Sequence, residues 1–387
     1  MRNRLGFIVP FVIAICAGAS ALSGCDNASR QAEQALPPVQ FAAPLLAPVG
    51  AGAFGIGAAD LNGDGLLDLV VSNALEDSVS VLLNDREQAL GFREARFSVG
   101  EGPRPVQVVD WDADGRLDVV VGNFFGNSFS VLKGQADGRF ELMGEYPISG
   151  GPFGLSVGDF NGDARIDVAA TGVHDFTVSV VWGSADSGAS NPQSWTIGDN
   201  PRPLVSGDFD GDGAIDFAVA NYFNNEVALM HHVTAAGTPS IQRVSLSQEG
   251  PWAMIASDAN GDGLLELITA NIRSNSVSVL QRDENGAFQE VLTLGADQEP
   301  SALAMADVNG DSHLDLVVVH HAGQSLWVYW GRGEAQFADP SKLALPDAGD
   351  GVTLGDFNQD GLIDIAATQW ETGRVAVLYQ LVENKAN

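Results

Sequence analysis

One nine-residue motif recurs seven times in this chain, and that recurrence constrains the fold more than any other feature. Its copies begin at Asp60, Asp110, Asp159, Asp208, Asp258, Asp307 and Asp356, at spacings of 50, 49, 49, 50, 49 and 49 residues. A fixed period of this length marks an array of equal supersecondary units. Each unit reads as four short β-strands. In the first, Gly55 to Ala59 precedes the motif, Leu67 to Ser72 follows it, and Ser78 to Leu83 and Phe92 to Val99 complete the set. Small residues crowd the first strand, as an innermost strand near an axis requires. Four strands per repeat with radial repetition predicts an all-β, seven-bladed β-propeller over residues 40–381. The seventh unit lacks a fourth strand, and an unpaired strand, Val39 to Pro48, precedes the first unit. Phe41-Ala42-Ala43-Pro44 matches the start of the first unit's fourth strand, Phe92-Arg93-Glu94-Ala95. The N-terminal strand is therefore expected to complete the last blade and close the ring, which removes exposed sheet edges.

The motif places carboxylate or carboxamide oxygens at positions 1, 3, 5 and 9. A main-chain carbonyl is expected from position 7. The sets are Asp60, Asn62, Asp64, Leu66 and Asp68; Asp110, Asp112, Asp114, Arg116 and Asp118; Asp159, Asn161, Asp163, Arg165 and Asp167; Asp208, Asp210, Asp212, Ala214 and Asp216; Asp258, Asn260, Asp262, Leu264 and Glu266; Asp307, Asn309, Asp311, His313 and Asp315; and Asp356, Asn358, Asp360, Leu362 and Asp364. Alternate oxygens in a tight loop converge on one point, and a hard cation such as calcium takes six to eight of them. Asp, Asn and Gly also favour plain turns. Yet like charges about 4 Å apart repel by roughly 4 kcal/mol at an effective dielectric near 20, so seven empty loops would carry that strain. An EF-hand needs Glu at position 12 and flanking helices; here position 12 is Val71, Val121, Ala170, Val219, Thr269, Val318 and Ala367, and the flanks read as strands. Calcium is thus the expected cofactor. Ala164 and Ser312 replace the turn Gly at position 6, and Glu266 is one methylene longer than Asp, so the third, fifth and sixth loops are expected to bind most weakly.

The Asp-x-Asn-Gly-Asp-Gly-x-x-Asp loop between strands one and two resembles FG-GAP/VCBS repeats, the propeller repeats of integrin α chains and of many exported bacterial proteins. Phe54-Gly55 and Phe153-Gly154 echo the Phe-Gly signature. Integrin propellers carry the metal motif in some blades only, whereas all seven units keep a version here, so the bacterial VCBS class is the closer likeness.

The first 24 residues read as an export signal: Arg2 and Arg4, then an apolar run, then small residues. Leu22-Ser23-Gly24-Cys25 resembles a lipobox, which implies lipidation of Cys25. The run from Leu5 to Leu22, interrupted by Pro10, is marginal for a membrane span. Residues 25–39 form a polar tether ending near Pro37-Pro38, and residues 382–387 a short tail. The expected location is the cell envelope, outside the cytoplasm. Asp26 suggests inner-membrane retention in a host with two membranes. Once Cys25 is acylated, Cys16 has gone with the signal and no disulfide remains.

With 50 Asp+Glu against 19 Lys+Arg, the chain is a poor partner for nucleic acid or anionic lipid, so membrane contact is expected through the lipid anchor alone. No nucleophile elbow, zinc motif or phosphate loop appears, and 23 of the 50 carboxylates belong to the acidic loops. The face opposite those loops holds the loops joining strands two and three and the inter-blade loops. It is rich in aromatics. Phe124, Phe125, Phe153, His174, Tyr222, Phe223 and Trp252 are expected to line a ligand site off the axis, over blades two to five; Trp370, Arg104, Arg202, Arg273, His320 and His321 share that face. The expected function is binding or adhesion to a glycan or protein ligand. A propeller-based polysaccharide lyase is the alternative, since propellers also host enzymes.

Overall fold

The computed structural model describes residues 39–381 apart from 86–90, 149, 185–189 and 236. The export signal, Cys25, all but the last residue of the tether and the tail at 382–387 lie outside the described residues. Among the described residues, no helix is long and apolar enough to cross a membrane.

The described strands form seven antiparallel four-stranded sheets. In the first blade the strands are Ala53–Ala59, Asp68–Asn73, Ser78–Asn84 and Phe92–Ser98, paired in sequence order. Each innermost strand packs on the innermost strand of the next blade, and Ala53–Ala59 packs on Gly349–Gly355, so the ring closes. Closure uses the expected strand. Leu45–Pro48 is the outer strand of the last blade, pairing with Arg374–Leu378. The bridge Phe41↔Gln380 reproduces the pair Phe92↔Asn84 of the first blade, so the sequence match between these segments has the right register.

The second and third strands of the first blade are wholly buried. Their side chains meet those of the next blade: Val70, Val79 and Val81 share one apolar cluster with Val106, Val119, Val121 and Leu132. The core is therefore a set of inter-blade layers, and a single repeat could not bury its own apolar surface. Glycine at the third position of an innermost strand permits the close packing. A Cβ on Gly55 would sit 2.3 Å from the carbonyl oxygen of Arg104, one on Gly154 2.4 Å from that of Arg202, and one on Gly351 2.4 Å from that of Phe54.

Candidate functional site

The acidic loops are held by their own hydrogen bonds. In the first loop Asp60 Oδ1 accepts from the N–H groups of Gly63 (2.8 Å) and Asp64 (3.0 Å), and Oδ2 from Gly65 (2.8 Å). Asp64 Oδ1 accepts from the N–H of Leu66 at 2.8 Å. The same bond from position 7 to position 5 recurs in the other six loops. Position 6 has positive φ throughout, including Ala164 (66°) and Ser312 (71°), so both replacements of glycine are strained as expected. Position 4 is also left-handed in every loop, which places Ala113 and Gln359 under similar strain in loops two and seven. Position 2 anchors each loop: Leu61, Trp111, Phe160, Phe209, Ala259, Val308 and Phe357 are all buried.

Position 9 differs from the other carboxylates because it is buried. Asp68 Oδ2 accepts from the N–H of Leu61 (2.9 Å), and Oδ1 from that of Asn84 (2.7 Å) at the end of the third strand. Asp118, Asp167, Asp315 and Asp364 repeat this bridge to Gly134, Gly183, Gly331 and Gln380. Glu266 turns back instead to the N–H groups of Ala259 and Asn260, because its extra methylene carries the carboxylate further. Burial pushes Asp68 up to about 6 against its backbone hydrogen bonds, and Asp64 and Asp60 add to the rise. Burial likewise lifts Asp167 and Asp364 to about 6 and Glu266 and Asp315 to about 7.

The donor chemistry fits a hard cation. Positions 1, 3 and 5 offer carboxylate and carboxamide oxygens; in loop one Asp60 Oδ1 is filled by two N–H donors, but Asp60 Oδ2 and Asp64 Oδ1 each accept one backbone bond and keep a lone pair. In loop two a side-chain cation already stands among them: Lys133 Nζ bonds Asp112 and lies 2.9 Å from Asp114. Loop four is chemically distinct. His231 Nδ1 is 2.9 Å from Asp216 Oδ2 and 3.6 Å from Asp210 Oδ2, and His232 Nε2 is 3.6 Å from Asp212 Oδ2. Sequence reasoning missed both histidines and Lys133. They stand at or beside the ends of third strands, 15 or 16 residues beyond the motif, and only the blade pairing brings them back.

On the opposite face, the second residue of each innermost strand forms a ring: Phe54, Arg104, Phe153, Arg202, Trp252, Ser301 and Asp350. Each lies at an irregularity in its strand's pairing with the next. Such bulges re-aim side chains. The rings meet across blades: Phe153 lies 5.8 Å from Phe54 and 5.2 Å from Trp252 between centroids, and Phe54 lies 6.1 Å from Trp370. Because Phe153 touches aromatics of the first and fifth blades, the cluster sits at the mouth of the central pore. The packed part of the expected patch, Phe153 with Trp252, thus lies on the axis rather than off it. Phe124 and Phe153 are 8% and 7% exposed and belong to the packed cluster, so they support the site from beneath. Phe125 and Phe223 are exposed at 54% and 56%, His174 is exposed, and Tyr222 and Trp252 are half-buried. Sequence reasoning put Arg104 and Trp370 on this face without assigning them to the site and gave Phe54 and Asp350 no place there; the shared register of the seven first strands brings out all but Trp370.

A cavity of about 330 Å³ opens among Phe54, Arg104, Trp252, Ile272, Glu299, His321, Asp350 and Trp370. His321 Nδ1 bonds Asp350 Oδ1 at 3.0 Å, which raises the imidazole's pKa. His320 is fully buried beside Ser325, and burial lowers it to about 4, so it is a core residue rather than a ligand.

Comparison with known proteins agrees with this architecture. A model of the FG-GAP-like repeat matches residues 60–121, 110–170, 208–269, 258–318 and 307–367, together well over half the chain. The chain belongs to the FG-GAP-like repeat family. Each match runs from one acidic loop to just beyond the next, so the FG-GAP-like unit and the 49-residue period coincide. No curated protein is significantly similar in sequence. Among solved structures, BBS1N in complex with ARL6DN is similar over 89% of this chain and 99% of that one, at 12% identity and a TM-score of 0.59. A functionally unknown protein from Desulfotomaculum acetoxidans is similar over 80% of this chain and 98% of that one, at 10% identity and 0.58. A Lactobacillus plantarum protein covers 81% of this chain and 98% of its own, at 16% and 0.55. At such identities these neighbours testify to the fold alone.

Proposed function

We propose that this FG-GAP-like propeller is an exported binding module, anchored through lipidated Cys25, stiffened by calcium in its acidic loops, and bound to a glycan or protein ligand at the pore mouth. The observation that carries the reading is the aromatic cluster around an open cavity, on the face that carries no acidic loops. Half-buried aromatic rings with a few polar groups are what a ligand pocket needs. BBS1N, a protein of the same fold, stands in complex with another protein, which supports a propeller as a docking platform. The carboxylates of positions 1, 3 and 5 support the calcium assignment through their donor chemistry.

Full-length protein on a glycan array, beside a pull-down of envelope proteins, identifies the ligand class. Trp252→Ala should weaken whichever ligand emerges at least tenfold. A folded variant with unchanged affinity would move the site away from the pore mouth. Cys25→Ser should shift the protein from the membrane fraction to the soluble one; unaltered fractionation, with the signal still removed, removes the anchor from the proposal.

A further inference from the structure

The pore mouth holds a cation whose hydrogen-bonding edge is not used. In a chain with 50 acidic and 19 basic residues, carboxylate partners are plentiful. Yet the Arg104 side chain makes no ion pair or hydrogen bond among the described residues, and its Nε is buried without a partner. Aromatic faces hold the guanidinium instead: Phe124 at 4.0 Å, Phe54 at 5.4 Å and Phe153 at 5.5 Å from ring centroids. Those contacts fix its plane and leave the N–H edge, which is where guanidinium donors point. Arg202 stacks nearby on Trp252 at 4.2 Å, so a second cation adds to the local positive field. Burial lowers the pKa of both arginines, that of Arg202 to about 10.

Another wall of the same cavity is complementary. Asp350 spends Oδ1 on His321, and its Oδ2 is buried with no partner. Glu299 adds an exposed acceptor. Arg104 and Asp350 line one cavity and do not form an ion pair. The rings of Phe54, Trp252 and Trp370 line the same cavity. A matching ligand carries a carboxylate for the arginine fork, hydroxyl donors for Asp350 and Glu299, and a flat C–H face for the indoles. At about 330 Å³ the cavity lies at the small end of the ~300–1,000 Å³ range of small-ligand pockets, which suits a terminal sugar better than a folded protein surface.

We infer that the pore-mouth cavity receives a carboxylated sugar residue, its carboxylate on the Arg104 guanidinium and its ring against Trp252 and Trp370. This rests on the pore mouth being the ligand face and specifies the chemistry recognised there. An acidic peptide side chain brings the same carboxylate on a flexible stem, but no flat C–H ring face for the indoles.

The test is calorimetry on the full-length protein in calcium buffer, with di- and trigalacturonate and the matching glucuronate oligomers as probes. Their neutral methyl esters and a Glu-containing tetrapeptide are the comparison arms. The acidic oligomers should bind, and the esters should bind at least tenfold more weakly. Arg104→Gln should lose at least tenfold in affinity for the acids and little for the esters, and Arg104→Lys should fall between. Equal affinity for acid and ester, or a folded Arg104→Gln protein with full affinity, overturns the inference. So does binding of the peptide alone, or no binding of any acidic oligomer up to 10 mM. If Arg104→Gln does not fold, the acid-to-ester ratio on the native chain decides. Neutral glycans that bind and are lost in Trp252→Ala would keep the pore mouth as ligand face while sinking the carboxylate.

Discussion

The two faces of the ring are built on opposite plans. The acidic-loop face repeats itself: the bond from position 7 to position 5 occurs in all seven loops, and the position-9 bridge to the end of the third strand in five. The pore-mouth face does not. At one equivalent position it carries Phe, Arg, Phe, Arg, Trp, Ser and Asp. A feature required in every blade serves what every blade must do, which is to hold a strand turn in place. A ring of unlike side chains on a repeating backbone makes a single asymmetric site, as a ligand of defined shape needs. On the proposed function, the repeated face serves stability and the varied one recognition.

Calcium removal should expose that division most strongly. At ~1 mM free calcium and a Kd near 10⁻⁴ M, each loop would add about 1.4 kcal/mol, and seven independent loops about 10 kcal/mol as an upper bound. The effect should depend on pH. The folded pKa values of Asp68, Asp167, Asp364, Glu266 and Asp315 are raised to about 6 or 7. Between about pH 4 and pH 7 the folded chain thus keeps protons that the unfolded chain has lost, and without metal its stability falls as pH rises through that window. Calcium favours the ionised carboxylates, so EDTA should lower the melting midpoint far more at pH 7.5 than at pH 5. A midpoint that EDTA leaves unchanged at both pH values would break the stabilising role of the loop face.

Within one loop, buried and exposed carboxylates should part company. Asp167→Ala orphans the buried N–H of Phe160 and the part-buried N–H of Gly183 and should cost about 2–6 kcal/mol in urea unfolding, since each lost partner costs about 1–3 kcal/mol. Asp163 is exposed, and Asp163→Ala in chelator should stay within about 1 kcal/mol. Equal losses would mean that position 9 is not the structural member of the set. The smallest effect concerns backbone strain. Ala164→Gly and Ser312→Gly should each stabilise by up to about 1 kcal/mol, because both sites have positive φ. A destabilised Gly variant would show that the strain is relieved elsewhere.

The seven blades, their four strands, the closing strand and the acidic loops were all legible in the amino-acid order. These depend on local spacing and are repeated seven times, so chance departures in one copy, such as Glu266, do not hide the pattern. The amino-acid order also located the aromatic face, because strand order decides which loops share an end of the ring. Which of its side chains are packed and which stand open came from contacts across the ring. Phe124 and Phe153 read as exposed aromatics yet lie packed, because side chains from different blades meet at the pore across 99 residues of chain, as Phe153 does with Trp252. The unpaired edge of Arg104, the free oxygen of Asp350 and the approach of Lys133, His231 and His232 to the loops have the same origin. Each is a distance between repeats or between strands. Periodicity fixes where a residue falls in its own blade, and ring closure sets what it meets in the others.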